Sequence, residues 1–175
     1  MTYTYEITQD RDPMSPRDDD TLSRIVMFHK KFDFPNEDGY NSNDYEGWHE
    51  LAADIGKNSG THILPIYMFE HGGIEIKATK GTNPYTCGWD SGQVGFVYTN
   101  ADLIEYFGVD EGRVDDYLVE EVEMYSRYVS GEVYAYHILD ETGTEVDYCG
   151  GFYDEEYAEI EAQSTGYIMQ KVAVA

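Results

Sequence analysis

Apolar residues recur along this chain with two periods, two and about 3.6, and the switches between them divide it into elements. Tyr3, Tyr5 and Ile7 alternate and predict a first strand, and Ile25, Val26, Met27 and Phe28 predict a second over 24–30. Trp48, Leu51, Ala52 and Ile55 stand at helical spacing, so a helix is expected over 45–55, capped by Asn43 or Asp44 and ended by Gly56. Residues 62–69 and 74–78 read as a hairpin around His71-Gly72-Gly73. Pro65 cannot donate a ladder hydrogen bond, which makes the first of these strands an edge or a bulged one. Val94, Phe96 and Tyr98 then alternate as a half-buried strand requires, with Gly92 marking a tight turn into it and Gly95 a close backbone approach.

Further on, Asn100 caps a short helix over 101–107 that Gly108 closes, and Asp110 opens a longer one to about Val129. At 100° per residue its apolar stripe holds Tyr117, Leu118, Val122, Met124, Tyr125, Tyr128 and Val129, opposite Asp115, Asp116, Glu120, Glu123 and Arg127. Glu121 falls inside the stripe. Two readings stand: a partly buried general acid or base, or a carboxylate paired with a tyrosine hydroxyl or backbone N–H. Residues 131–139 and 145–153 predict a hairpin whose first strand, apolar on both faces, lies centrally in a sheet. A short acidic helix over 154–162 and a last strand over 167–174 follow. Residues 10–20 and 33–43 are rich in Pro, Asn, Asp or Gly and read as loops. With no repeat and no linker, the expectation is a single α+β domain over 1–175: a largely antiparallel sheet, one long amphipathic helix and two or three short ones.

Composition changes the picture through charge. Thirty-five Asp and Glu face 11 Lys and Arg, a formal charge of −24, while 17 tyrosines and 41% apolar content argue for a folded chain. Such a balance excludes direct binding to nucleic acid or to an anionic membrane and directs attraction toward basic proteins. There is no basic-then-apolar start and no apolar run near 18 residues, so a soluble protein of the cytoplasm is expected. Cys87 and Cys149 read as reduced thiols.

Candidate chemistry is sparse. Cys87 beside His62 or His71 would suit a thiolate nucleophile, but the surrounding carboxylates raise a thiol pKa, which favours a small residue near a turn. Asp90-Ser91-Gly92 lacks the flanking glycines of a nucleophile elbow and reads as a turn. The five histidines have no ligand spacing, Asp18-Asp19-Asp20 lacks an oxygen-ligand loop pattern, and Lys80-Gly81-Thr82 is too short for a phosphate loop. Neither metal nor cofactor is expected. The stronger signal is a distribution: residues 128–170 contain no Lys or Arg. Carboxylates at Asp115, Asp116, Glu120, Glu123, Asp154, Glu155, Glu156 and Glu159 would present a line of charge comparable to duplex DNA, with solubility or adaptation to high salt as the plainer accounts.

The runs HILPIY (62–67), HGGI (71–74) and CGWDSGQVG (87–95), with 121–153, resemble a family of small acidic proteins encoded by bacteriophages and mobile elements. The resemblance covers roughly residues 3–153. Members often carry proline where this chain has Gly88. The family brings no established activity and no functional residues, and what it implies is context: a viral or mobile-element protein expressed in a prokaryotic cell.

Charge and context together predict an inhibitor of a host or defence protein that occupies a basic nucleic-acid-binding surface, as a DNA mimic would. The alternatives are a small-molecule- or nucleotide-binding protein or enzyme using Trp89, Asp90, Ser91 and Gln93 with Tyr67 and His71 nearby, and a virion accessory protein. Tyrosine-rich strand faces leave a homodimer open beside burial of those tyrosines in the core.

Overall fold

The computed structural model describes residues 2–59, 62–167 and 169–171. Its elements are β1 (Tyr3–Gln9), β2 (Arg24–Met27), α1 (Trp48–Ser59), β3 (Ile63–Glu70), β4 (Ile74–Ala78), β5 (Ser91–Tyr98), α2 (Ala101–Phe107), α3 (Val114–Ser130), β6 (Tyr134–Leu139), β7 (Glu145–Phe152), α4 (Glu155–Ser164) and β8 (Met169–Lys171). The α+β class is the expected one. The strands form two four-stranded sheets where a single one was expected, β7-β6-β1-β8 and β2-β5-β3-β4. The chain divides into two compact units, Asp19–Ser126 and Met1–Asp18 with Arg127–Ala175. No helix among the described residues is long and apolar enough to cross a membrane.

In the 19–126 unit every strand pairing is antiparallel. One face of the sheet packs on α1: Leu51 and Ile55 meet Val26, Phe96 and Tyr98, with Trp48 stacked edge-on to Phe96. Burying each of these aliphatic side chains contributes roughly 2 kcal/mol. On the opposite face Ile25, Val97 and Leu64, aligned across three strands, are also buried. β5 is therefore covered on both faces rather than half-buried. Gly95 is where the chains press closest: a Cβ built there would lie 1.9 Å from the Val26 carbonyl oxygen. Gly92, by contrast, has open space and an ordinary φ.

Pro65 sits in β3, an interior strand, so the edge reading is corrected, and the bulge near it belongs to the partner strand rather than to β3. The register slips between Ile66 and Tyr67, leaving Val94 of β5 as the extra residue. The outer edge of β2 is covered by the following loop, where Met27 N donates to Pro35 O at 2.9 Å and Glu37 N to Ile25 O at 3.1 Å. Helix α1 begins later and ends later than expected. Asn41 caps a separate 3-10 turn (Ser42–Asp44), and Gly56 is passed without a break because Ser59 closes the last turn by donating its hydroxyl to Ile55 O.

In the other unit β6 is central, between β1 and β7, as its two apolar faces predict. Only β1 and β8 run parallel. Helix α4, capped by Asp154 accepting from Tyr157 N, lays Ala158 and Ala162 toward a core of Tyr5, Tyr136 and Ile138. Of the strand expected over 167–174, residues 168 and 172–174 lie outside the described residues.

Candidate functional site

One region gathers residues singled out by sequence, the turn that leads into β5. Ser91 Oγ donates to Cys87 O at 2.6 Å and accepts from Asn83 Nδ2 at 2.9 Å, while Tyr85 N donates to Asn83 Oδ1 at 3.0 Å. Asp90 Oδ2 accepts from the Cys87 thiol at 3.4 Å and lies 3.2 Å from His71 Nδ1, and Glu70 N donates to Asp90 O at 2.8 Å. Behind the turn Tyr85, Phe69 and His71 stack in a row. Burial, then the charge of Glu75, pushes the Tyr85 phenol pKa up, and among the described residues its hydroxyl has no partner.

Trp89 stands at the tip of this braced turn with 99% of its surface exposed. An open cavity of about 460 Å³ lies beside it, lined by Lys31, Glu70, Asp90, Ser91 and Gln93 among others. Tyr67 is opposite Gln93 in the β3–β5 register. The sequence motif is thus brought together. Its serine is committed to a backbone carbonyl, as a turn residue is, and Cys87 is partnered by Asp90 rather than by His62 or His71.

The eight acidic candidates are shared between the two units, four in each, and separate into two kinds. Asp115 bonds His62 Nδ1 at 2.7 Å, Asp116 lies 3.2 Å from Lys80 Nζ, Asp154 caps α4, and Glu159 accepts from the Tyr5 hydroxyl at 2.7 Å. Glu120, Glu123, Glu155 and Glu156 are exposed and have no polar partner among the described residues. Glu159 is only part-exposed because α4 packs on the sheet and Tyr5 there requires an acceptor. Asp115, Asp116, Glu120 and Glu123 belong to the 19–126 unit, the other four to the second unit.

Glu121 is bonded to backbone, the second of its two readings: it accepts from Leu22 N at 2.8 Å, from Ser23 N at 3.1 Å and from the Ser23 hydroxyl. His62, considered as a base for Cys87, instead bridges Asp115 and Glu111 at 2.7 and 2.9 Å. Burial disfavours its imidazolium, but the hydrogen bonds and charges of Asp115 and Glu111 outweigh that and raise its pKa above the usual histidine value. A raised folded-state pKa gives stability that is fully present below the unfolded value, near 6.5, and lost as pH rises through the folded one. Wild type should therefore exceed His62→Gln in urea stability by a wider margin at about pH 5.5 than at about pH 9. Equal margins at both would mean that His62 stays neutral.

Cross-strand register assembled a cluster that no linear spacing signals. His137, opposite Glu6 in the β1–β6 pair, lies 2.6 Å from Glu145 Oε2 and 3.1 Å from Thr8 Oγ1. Glu6, Thr8 and His137 line a groove of about 580 Å³ in the second unit. Among the described residues no three His, Cys, Asp or Glu side chains converge as metal ligands would. Comparison with known proteins adds no family to this geometry: no protein-family model, no curated protein and no solved structure matches the chain.

Proposed function

We propose that this protein is an acidic inhibitor that occupies the basic nucleic-acid-binding surface of a host protein in a prokaryotic cell, in the manner of a DNA mimic. The observation that carries the reading is the row Asp116, Glu120, Glu123 on the outer side of α3, in a chain of formal charge −24. Helical rise sets these carboxylates about 6 and 4.5 Å apart along the axis, a spacing on the scale of duplex phosphates, which recur about every 3.4 Å per strand. Lys80 and Arg113 approach Asp116 only as exposed ion pairs, which are worth little and yield readily to a partner's cations. The mobile-element context implied by the sequence resemblance suits a defence enzyme as target.

Affinity capture from prokaryotic lysate at about 0.15 M salt, followed by competition between this chain and duplex DNA for the captured protein, tests the reading. A basic DNA- or RNA-handling protein that is released at about 0.5 M salt and displaced by duplex supports it. Changing Glu120, Glu123, Glu155 and Glu156 to glutamine should leave folding intact, since none has a structural partner. Association with such a protein should slow by tenfold or more at low salt. An unchanged association rate would refute the mimic reading.

A further inference from the structure

The turn at Thr86–Ser91 spends its polar groups on holding one apolar side chain in water. Hydrogen bonds from Ser91, Asn83, Asp90 and Glu70 fix its base, and the Tyr85–Phe69–His71 stack braces it from behind. Trp89 is nevertheless 99% exposed. Tryptophan is the largest apolar side chain and is highly buried on average, and the chain's other one, Trp48, packs against Phe28 and Phe96. Because the turn beneath it is already ordered, docking this indole costs only the side chain's own rotamers and no loop ordering, which suits an interface anchor.

The groups around it say what it would meet. Beside the indole, Asp90 and Glu70 face the cavity, with Lys31 tied to Glu70 at 2.8 Å. The Asp90 Oδ2 atom is taken by Cys87 and His71, and among the described residues Oδ1 has no hydrogen-bond partner. A tryptophan face with a carboxylate oxygen alongside, on a protein of charge −24, is complementary to a planar cation. Arginine fits better than lysine, because a guanidinium stacks on the ring and donates in its plane at once. We infer that Trp89 is the anchor through which this chain docks a basic protein partner, taking an arginine side chain of that partner against its indole with Asp90 pairing the guanidinium. The inference rests on the acidic-inhibitor reading and assigns its specificity to this turn.

The test uses fluorescently labelled nona-arginine and nona-lysine peptides as probes. Binding is followed by peptide anisotropy at about 0.15 M salt, and Trp89 emission is read in a Trp48→Phe background. Should that background fold poorly, the difference spectrum between wild type and Trp89→Ala serves instead. Nona-arginine is expected to quench or shift Trp89 emission. Trp89→Ala should weaken nona-arginine binding about tenfold while leaving nona-lysine within about twofold, and Asp90→Asn should reproduce part of that selective loss. Arginine-peptide binding with unaltered Trp89 emission, or equal losses for both peptides in Trp89→Ala, overturns the anchor and leaves the acidic-inhibitor reading standing. Failure of both peptides to bind wild type overturns the anchor and that reading together.

Discussion

Replacing Gly95 with alanine is expected to remove at least about 3 kcal/mol of stability, the upper range for forcing an extra carbon into packed structure. The added Cβ would stand 1.9 Å from the Val26 carbonyl oxygen and 2.8 Å from the Met27 Cα. Both are backbone atoms, so no side chain can swing aside, and β2 must leave β5 to make room. Phe28 N, which donates to Val94 O at 2.8 Å next to this contact, would lose its partner as well. Gly92→Ala supplies the control three residues earlier on the same strand. A Cβ there meets nothing within 4 Å, and its stability should stay within about 0.5 kcal/mol of wild type. Urea midpoints for the two variants decide the matter. Equal midpoints would mean that β2 and β5 do not pair in the register Met27–Gly95.

Second in size is Glu121→Ala. The carboxylate receives two backbone N–H groups and one hydroxyl from Leu22 and Ser23, both buried. Truncation strands those donors away from water, and a buried donor without a partner costs about 1–3 kcal/mol. The expected loss is about 2–4 kcal/mol in urea unfolding. Glu121→Gln, which keeps one acceptor oxygen in the same place, should lose roughly half as much. If alanine were neutral, Glu121 would not be what holds 22–23 to α3.

Much of this was legible in the residues because it depends on local rules. Asn100 and Asp154 accept from backbone N–H groups at the starts of α2 and α4, as short polar side chains do, while Asp110 caps a 3-10 turn (Glu111–Arg113) that precedes α3. Gly108 closes α2 in the left-handed region. Gly95 declared its close approach by lacking a side chain in a run of apolar ones. The hairpins β3–β4 and β6–β7 were legible as pairs, but the pairings of β5 with β2 and β3 and of β1 with β6 and β8 were not, since they join strands distant in sequence. One period-2 pattern looks the same in one sheet or two, and β5 reads as half-buried because nothing local says that the second face of its sheet is also covered. The α1 start moved from 45 to Trp48 because Asn41 captures Asn43 N in a competing turn.

The candidate site divides in the same way. A turn before β5 was readable from Asp90 and its neighbours, but Ser91 and Gly92 open the strand itself, and Gly92 keeps an ordinary φ where a turn glycine was expected. Glu159 was not, because its role is set by Tyr5, 154 residues away. Nor could the exposure of Trp89 be read, since alternation says which side of a strand a residue takes and nothing about a turn that projects beyond it.

The tyrosines have a consequence for how the fold responds to ions. Thirty-five carboxylates share 11 cationic side chains, yet Asp38, Asp54 and Glu159 each accept from a phenol: Tyr98 at 2.5 Å, Tyr45 at 2.9 Å beside the Lys57 ion pair of Asp54, and Tyr5 at 2.7 Å. A phenol satisfies a carboxylate without being a counter-charge, so dissolved salt does not compete for it as it does for an ion pair. Asp54 in turn holds the Tyr45 phenol protonated, with its pKa pushed up to about 12. Added electrolyte then finds ion pairs that are exposed and individually weak, such as Lys31–Glu70 and Lys77–Glu75, and a large self-repulsion to screen. The urea midpoint is therefore expected to rise with ionic strength, the reverse of a fold held mainly by salt bridges.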